Sequence, residues 1–303
     1  MDDAVVVTAP TEERNPATLG IDRMSSLDVL RLLNAEDATV PAAVGVVLPE
    51  LSRLVDGAVA RIRGGGTVHY FGAGTSGRLA VLDAAELPPT FSSPPGLFVA
   101  HHAGGATALV RALENVEDDH EAGRAEAQVL RAQDVAIGLT ASGRTPYVAG
   151  ALEVARERGA LTALVTAHPE SEIGPFVDHL VAPATGAEAL TGSTRLKAGT
   201  AQKLVLNGFS TAVMVALGHT WSNLMVDLVA TNAKLRGRVV RILREATGAG
   251  ELEAREALAG ADGELKPALL QLLAGLPARE ARVLLAAHGG SVAAVLGTVA
   301  PAR

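Results

Sequence analysis

Short apolar runs alternate with helix-spaced apolar patterns between residues 67 and 182. The runs are brief and do not alternate with polar residues, which is typical of parallel strands that are covered on both faces. They predict five strands, at Thr67–Phe71, Leu97–Ala100, Asp134–Thr140, Leu161–Thr166 and His179–Ala182. The intervening patterns predict helices near Gly77–Glu86, Ala106–Glu117, His120–Arg131 and Pro146–Arg158. This order predicts a doubly wound α/β fold, in which ligands bind at the carboxyl ends of the strands.

The segment before this region predicts a helical arm. Residues 1–24 are polar and irregular, and a helix is predicted to begin at the serine pair 25–26, with acidic residues in its first turn. A longer helix is predicted over residues 40–63, with Thr39 as its cap and a kink at Pro49.

The segment after this region predicts further helices. The stretch TGSTRLKAGTAQKLVLNGFSTAVMVALG, from Thr191, is apolar on most sides after its first turn, so we expect a long buried helix. From Ala246 onward, alanine- and leucine-rich helices separated by Gly and Pro predict a small bundle. We therefore predict an α/β domain with its arm at residues 1–245 and a small helical domain at residues 246–303.

Composition narrows the class of protein. The chain has 303 residues, is 48% hydrophobic and carries a net charge of −7 without a basic block, which argues against nucleic acid and an anionic membrane surface as partners. It has no cysteine, which excludes disulfides, thiolate catalysis and zinc–sulfur sites. The N-terminus lacks a signal pattern, and no apolar run reaches the roughly 20 residues of a membrane helix. We therefore predict a soluble cytoplasmic protein.

One glycine-rich turn combines the features of an anion site. In TVHYFGAGTSGRLAVLDAAELPPT a strand, a glycine turn and a helix start follow one another directly. Free amides and the positive end of the helix dipole would then point to one spot. Gly74 lets the backbone approach a ligand, and Thr75 and Ser76 add hydroxyl donors. Asp83 and Glu86, further along, share one face of the predicted helix.

The same device recurs twice in the chain. ASGRT, at residues 141–145, again follows a strand and precedes a helix, and TGSTR, at residues 191–195, is a third hydroxyl-rich turn that enters a helix. The candidate hydroxyl donors of these two turns are Ser142, Thr145 and Ser193. Lys197 is predicted one turn into the helix that begins near Ser193, where it could bind a phosphate or a carboxylate or remain a surface lysine. Three such loops at one sheet edge would surround one polyhydroxylated, phosphorylated ligand.

Two other interpretations of the turns stay open. The run from Gly72 to Gly77 matches the dinucleotide pattern G-x-G-x-x-G, which also requires an acidic residue at the end of the next strand. That strand ends in His101 and His102, so a phosphate monoester fits better, although a tight turn without a ligand is the simpler alternative. Arg78 and Arg144 either bind phosphate or only brace their loops.

The acidic residues are open to two interpretations as well. Glu86 precedes a proline pair at the predicted end of its helix, and Glu114 and Glu117, with the two aspartates that follow, form a cluster at another predicted helix end. Each is either a solvated helix terminus or a carboxyl group held for proton transfer. The eight histidines show no metal-ligand spacing, so we predict no metal site.

Taken in order, the motifs resemble the N-acetylmuramic acid 6-phosphate etherases, which are sugar-isomerase-domain (SIS) lyases related to the glucokinase regulatory protein. The matching segments are TEERNPATLGIDRMSSLDVLRLLNAED, FGAGTSGRLAVLDAAELPPTF, ASGRTPYVAGALEVARERGA, TGSTRLKAGTAQKLVLN and NLMVDLVATNAKL. They span Thr11 to about Leu235, and the C-terminal helices are similar in a less specific way. The resemblance implies an SIS-type parallel sheet with flanking helices.

The resemblance also implies a reaction and its residues. The family cleaves the D-lactyl ether of N-acetylmuramic acid 6-phosphate with water and yields N-acetylglucosamine 6-phosphate and D-lactate. Its first glutamate lies in an Asp-Ala-Ser-Glu-Cys-Pro-Pro-Thr context and matches Glu86 in DAAELPPT. Its second lies in a Glu-Gly-Ala-Glu-Asp context and matches Glu117 in ENVEDD, with Glu114 as the nearest rival. The implied roles are proton donor for Glu86 and base for Glu117, without a cofactor.

The expected ligand is a small sugar phosphate. We expect its phosphate and hydroxyls on Gly74, Thr75, Ser76, Ser142, Thr145, Ser193 and Lys197, and the sequence leaves open which loop binds the phosphate. An aldose–ketose isomerase or a non-catalytic sugar-phosphate sensor would use the same fold. The apolar long helix and the resemblance both indicate a homodimer.

Overall fold

The computed structural model describes residues 9–227 and 233–299. Its strands are β1 (Val68–Gly72), β2 (Phe98–His102), β3 (Val135–Leu139), β4 (Leu161–Val165), β5 (His179–Val181), β6 (Thr220–Trp221) and β7 (Leu224–Met225). Its α-helices are α1 (Ser26–Asp37), α2 (Val40–Arg63), α3 (Gly74–Phe91), α4 (Gly105–Val110), α5 (His120–Glu126), α6 (Pro146–Glu157), α7 (Lys197–Ala216), α8 (Ala233–Thr247), α9 (Glu251–Gly260), α10 (Leu265–Ala274), α11 (Ala278–Ala287) and α12 (Val292–Leu296).

The first five strands form one parallel sheet in the order β2-β1-β3-β4-β5. Gly72 is paired with His102 on one side and with Leu139 on the other, so the carboxyl ends of β1, β2 and β3 lie level. The strand order reverses between β1 and β3, and this switch point is where open α/β sheets bind their ligands. The predicted doubly wound sheet is confirmed, and all five predicted strands are present.

Helices cover both faces of the sheet, as the apolar strands require. Every residue of β1 and β3 is buried. Phe71 packs with α6 residues on one face, and Tyr70 contacts Phe209 of α7 through their rings on the other. Side chains that are buried on both faces explain why these strands do not alternate between apolar and polar residues.

The chain divides into two compact units. The first contains residues 1–84 and 96–210, and it holds the parallel sheet. The second contains residues 85–95 and 211–303, and its apolar core is built from α8 to α12 with contributions from Val226 and the short β6–β7 pair. The predicted boundary between residues 245 and 246 remains a prediction about folding domains. The last resembling segment, residues 223–235, lies partly outside the described residues.

The N-terminal helices begin where the sequence predicts, with one correction. The Ser25 hydroxyl accepts a hydrogen bond from the amide of Asp28 and caps α1. Thr39 precedes α2 as predicted, but its hydroxyl donates to the carbonyl of Glu36 at 2.7 Å and makes no cap bond to α2. The helix continues through Pro49 to Arg63.

Residues Ser26–Arg63 contain the one stretch, within the described part of the chain, that is long and apolar enough to cross a membrane by composition. The most apolar window has a mean hydropathy of 1.4, and 28% of it is buried. The stretch consists of α1 and α2, and the buried face of α2 packs on the sheet, where Gly57 approaches Leu161 of β4. Core helices of soluble proteins pass the same test of length and hydropathy.

Three helices end at other residues than predicted. α5 ends at Glu126 and a 3₁₀ turn follows over Ala127–Val129, where the sequence predicts one helix to Arg131. The other two differences, in α3 and α4, have a physical cause. α3 does not end at Glu86 but runs through Pro88 and Pro89 to Phe91, because Leu87 and Phe91 on its last turns are buried. α4 does not reach Glu117 but ends at Val110, where the Arg78 guanidinium binds the terminal carbonyls of Ala108 and Leu109 at 2.7 and 2.9 Å. A cation at a helix C-terminus is favourable there. Arg78 therefore braces the fold.

Candidate active site

The glycines of the turn after β1 permit a close backbone contact and a left-handed backbone conformation. A Cβ on Gly72 would lie 2.9 Å from the amide nitrogen of Gly77, and a Cβ on Gly77 would lie 2.5 Å from the carbonyl oxygen of Gly72. Gly74 has a φ of +52°, in the left-handed region. β1 and the first turn of α3 therefore touch backbone to backbone, and the first amides of α3 point out of the turn without intrahelical acceptors.

Thr75 and Ser76 lie in the first turn of α3, because the helix begins at Gly74 and not near Gly77, where the sequence predicts its start. Ser76 is buried with 9% exposure, and Thr75 is half-buried. A Cβ built on Gly199, in the first turn of α7, would lie 3.6 Å from Thr75 Cγ2. The start of α7 therefore lies beside the start of α3, which brings two of the three hydroxyl-rich turns together.

The turn after β3 is held by its own hydroxyls. Thr140 Oγ1 lies 2.7 Å from Thr145 Oγ1 and 3.3 Å from Ser142 Oγ, and it accepts the amide of Gly143 at 3.2 Å. Gly143 has a φ of +76° and packs against Ser171, whose hydroxyl donates to the Gly143 carbonyl at 2.6 Å. Ser142 and Thr145 are therefore fixed at the carboxyl end of β3, next to the turn that follows β1.

Glu117 lies in the loop between α4 and α5, where its backbone contacts the start of α6. Its carbonyl oxygen accepts the backbone amide of Tyr147 at 3.0 Å, in the first turn of α6. The residue is more than one third exposed, and partial burial of its carboxyl group, followed by the charges of Asp118 and Glu114, raises the pKa of that group. The cluster therefore lies in the irregular loop after α4 and not at the end of that helix, where the sequence predicts it, and its last member, Asp119, caps α5. A carboxylate with a raised pKa is a better base near neutral pH.

The start of α7 differs from the prediction. The helix begins at Lys197 and not near Ser193, and residues 193–196 form turns. The amides of Lys197 and Ala198 each donate to the carboxylate of Glu188 at 2.9 Å. Glu188 is fully buried, and burial raises its pKa. The N-terminus of α7 thus carries an anion from the chain itself.

Lys197 is not a surface lysine. The side chain is 5% exposed, and Nζ lies 2.7 Å from Glu36 Oε2 of α1, which also accepts from Asn15 at 2.8 Å. Its partners Glu36 and Glu188 could not be predicted from the sequence, because both come from distant segments of the chain. Ser193 is half-buried in the preceding turn, and its role as a ligand stays a prediction.

The histidines that end β2 point to opposite faces of the sheet, because successive side chains alternate along a strand. His101 stacks on Phe71 with their ring centroids 4.4 Å apart, and His102 approaches the Gly74 carbonyl at 3.3 Å. Burial lowers the pKa of His69, beside His101, to about 4. Within the described residues no group of three or more potential ligands could hold a metal ion.

The two acidic residues of α3 differ in environment. Asp83 is buried and accepts hydrogen bonds from Tyr70 at 2.9 Å, Ser210 at 2.9 Å and Asn207 at 3.2 Å. Burial raises the pKa of its carboxyl group. Glu86 is exposed and belongs to the second unit. Asp83 is therefore held in a packed network, and Glu86 is the acid of this helix that remains accessible.

The first unit thus brings together most of the predicted side chains. The turns after β1 and β3 lie side by side at the switch point. The start of α7, at Gly199, lies beside Thr75, and the backbone of Glu117 is hydrogen-bonded to the start of α6. Arg144 lines a separate cavity of about 340 Å³ beside α6, together with Leu152 and Phe176. The arrangement offers hydroxyls and helix amides to an anion and a carboxylate nearby for proton transfer.

Comparisons with known proteins identify the fold of the sheet region and the family of the chain. The family model of the glucokinase regulatory protein N-terminal SIS domain matches residues 50–156, and that of the SIS domain matches residues 109–212. A phosphoheptose isomerase structure from Francisella tularensis has 18% sequence identity and a TM-score of 0.50, covers 63% of this chain and 100% of its own, and shares the fold.

Two curated relatives are much closer in sequence. An N-acetylmuramic acid 6-phosphate etherase from Thermobifida fusca is 63% identical over 268 residues, 88% of each chain. One from Serratia proteamaculans is 51% identical over 288 residues, 94% of this chain and 97% of its own. At such identity and coverage, the chain belongs to the family of N-acetylmuramic acid 6-phosphate etherases.

Proposed function

We propose that this protein is a carbon–oxygen lyase that cleaves the D-lactyl ether of N-acetylmuramic acid 6-phosphate, and so serves the recycling or catabolism of cell-wall amino sugar. The observation that carries the proposal is the 63% identity to an etherase over 88% of each chain. The products are N-acetylglucosamine 6-phosphate and D-lactate.

The substrate itself suggests how the ether breaks. Direct displacement is difficult, because an alkoxide leaves badly. In the ring-opened sugar, C1 is an aldehyde, which acidifies the proton on C2, and the ether oxygen on C3 is β to that carbonyl. Removal of the C2 proton forms a C2–C3 double bond as the C3–O bond breaks, and the lactyl oxygen takes up a proton. Water then adds its hydroxyl to C3 and a proton to C2.

Two carboxyl groups are sufficient for these proton transfers. We assign Glu117 as the base at C2, and its raised pKa suits a base that must be ionised yet strong near neutral pH. We assign Glu86 as the proton donor to the departing lactate. Its exposure leaves the carboxyl group accessible, and a donor must be protonated when the C–O bond breaks.

The hydroxyl-rich turns are the proposed sugar-phosphate site. Ser142 and Thr145, in the turn fixed by Thr140, and Thr75 and Ser76, at the amino end of α3, offer neutral donors to an anion. Gly74 gives the ligand access to the backbone, and Ser193 and Lys197 complete the proposed set. The Glu36 ion pair leaves Lys197 less charge to offer a phosphate than an unpaired lysine would have.

One assay tests the function. We expect the purified protein to release D-lactate from N-acetylmuramic acid 6-phosphate, in equal amount to N-acetylglucosamine 6-phosphate. The same reaction with N-acetylglucosamine 6-phosphate or with glucose 6-phosphate is the control, and neither substrate can yield lactate. Interconversion of an aldose and a ketose without lactate would indicate an isomerase. A thermal shift without turnover would indicate a sensor.

We also propose that the protein acts in the cytoplasm as a homodimer. Exposed apolar side chains on the arm support an association of copies, since Leu30 is 63% and Val46 is 79% exposed. Light scattering at several protein concentrations tests the dimer, and a constant monomeric mass would contradict it.

A further inference from the structure

We infer that Gly123 and Gly150 are positioning residues for Glu117, because they let α5 and α6 cross at backbone contact. The inference rests on the proposed role of Glu117 as a base. Three observations carry it: the space at the crossing, the polar contacts across it, and the hydrogen bond from α6 to Glu117.

The crossing has no room for a side chain. A Cβ on Gly123 would lie 1.9 Å from the carbonyl oxygen of Tyr147, and a Cβ on Gly150 would lie 2.2 Å from the carbonyl oxygen of His120. Neither glycine has a positive φ. The backbone conformation at both positions therefore permits alanine. Its methyl group would clash with backbone atoms, which cannot move out of the way as the end of a flexible side chain could.

Polar contacts hold α5 on α6 around these glycines. The Tyr147 hydroxyl donates to Glu126 of α5 at 2.6 Å. The Arg124 guanidinium binds Glu153 at 2.9 Å and Glu157 at 3.3 Å. The hydroxyl of Tyr147 is fully buried with its ring, so this end of the crossing is tightly fixed.

The crossing sets the place of Glu117 through one residue, Tyr147. Its carbonyl faces Gly123 of α5, and its amide donates to the carbonyl of Glu117 at 3.0 Å. Asp119, two residues after Glu117, caps α5 by accepting the amide of Ala122 at 2.9 Å. Glu117 is therefore coupled to α5 through the chain and to α6 through this bond, and a side chain at either glycine would separate the two.

Moving the base should affect the chemical step more than binding. Of the turns that we propose to hold the phosphate, the one after β1 is attached to the sheet and to α3, and the one after β3, which leads into α6, is held at the end of its strand by Thr140. A displacement of about 1 Å in a reacting group is enough to cost about 10²-fold in rate. We therefore expect a loss of kcat without a matching rise in KM.

Gly123→Ala and Gly150→Ala test the inference against a control with the same kind of clash. Gly66→Ala is that control, because a Cβ there would lie 2.0 Å from the carbonyl oxygen of Gln133, also without a positive φ. Gly66 precedes β1 at the amino end of the sheet, away from the acidic loop. The measurements are kcat and KM for N-acetylmuramic acid 6-phosphate, urea unfolding, and hydrogen exchange of the Tyr147 amide.

We expect the two α5–α6 variants to lose between about tenfold and about 10²-fold in kcat, with KM within about twofold. Their Tyr147 amide should exchange faster than in the parent protein. Gly66→Ala should lose comparable stability but keep kcat and the protection of Tyr147. The inference is wrong if the kcat and Tyr147 protection of the two variants match those of the Gly66→Ala control.

Failure of the proposed function gives a different result. If Glu117→Gln keeps full turnover, Glu117 is not the base, whatever the glycine variants do. If Glu117→Gln is inactive and the glycine variants keep kcat, only the positioning inference is lost. Should Gly123→Ala and Gly150→Ala not fold, Tyr147→Phe removes the contact with Glu126 and keeps the amide. It should lower kcat several-fold at constant KM, and an unchanged kcat would overturn the inference.

Discussion

Nζ of Lys197 lies 2.7 Å from Oε2 of Glu36, and 6% and 18% of the two side chains are exposed. The pair joins the first residue of α7 to the last turn of α1. The amide of the same lysine donates to buried Glu188. Lys197 therefore has a structural role in addition to the ligand role that the sequence predicts for it.

The first prediction concerns this pair. Lys197→Met should lower the free energy of unfolding by about 1–3 kcal/mol, because it leaves the partly buried Glu36 carboxylate beside an apolar side chain without its cation. Urea unfolding measures the loss. Arg31→Met, which breaks the exposed pair with Asp28, is the control and should change little. Equal stability of Lys197→Met and Arg31→Met would show that the buried pair contributes nothing.

A second prediction separates the candidate catalytic acids. Glu86→Gln and Glu117→Gln should each lose on the order of 10²- to 10⁴-fold in kcat and fold normally, because a positioned proton-transfer group contributes that much. Glu114→Gln should retain kcat within a few-fold, since Glu114 is the neighbour and not the base. Full loss in Glu114→Gln with activity in Glu117→Gln would reverse the assignment of the second carboxylate.

The pH dependence provides a third prediction. The base acts ionised, so kcat/KM should fall as the pH drops through the pKa of Glu117, which lies above the usual glutamate value. Asp118→Asn removes one of the negative charges that raise this pKa, and it should move the acid limb of the profile to lower pH. Glu121→Gln, in the solvated first turn of α5, is the control. A limb that stays in place in Asp118→Asn would mean that it reports another group.

A fourth prediction concerns the hydroxyl-rich turns. Ser76→Ala and Ser142→Ala should raise KM by about 10- to 100-fold with little change in kcat, because each loses a hydrogen bond to a charged phosphate. Ser25→Ala removes a helix cap from α1, so it should lower stability by about 1 kcal/mol and leave KM unchanged. An unchanged KM in Ser142→Ala would remove the β3 turn from the phosphate site.

Isotope incorporation tests the route of the reaction. Elimination followed by addition requires a new proton on C2, so the N-acetylglucosamine 6-phosphate formed in D₂O should carry deuterium there. Mass spectrometry or proton NMR of the product measures it. A product that has kept its original C2 proton would favour direct displacement at the ether. As a control, N-acetylglucosamine 6-phosphate itself is incubated with the protein in D₂O, which shows whether its C2 proton exchanges after the product has formed.

Most of the fold could be predicted from the sequence, because its signals are local. Each strand of the sheet lies within a few residues of its predicted position. Short apolar runs between glycine turns rarely form any element other than a buried strand. The errors fall where distant residues intervene. α4 ends early because Arg78 binds its terminal carbonyls, and α3 extends because Leu87 and Phe91 are buried. Neither effect is visible in the helix's own sequence.

The residue types of the candidate site were also visible in the sequence, but their partners were not. The hydroxyl donors could be predicted from the glycine turn and its two repeats, because the strand, the turn and the helix start are adjacent in the sequence. Glu188 beneath α7 and Glu36 beside Lys197 gave no local signal. The groups that pair with a buried carboxylate are those that the tertiary structure brings next to it, and here they lie on other segments of the chain.

The sequence by itself determined the parallel sheet, its turns and the acidic residues near them, because hydrophobic periodicity and backbone freedom act over a few neighbouring residues. Only the tertiary structure decided that the turns after β1 and β3 meet at the switch point, and that Tyr147 holds Glu117. It also decided that α5 and α6 touch at Gly123 and Gly150. These relationships depend on contact between segments that are distant in the chain, and no local pattern encodes the distance between them.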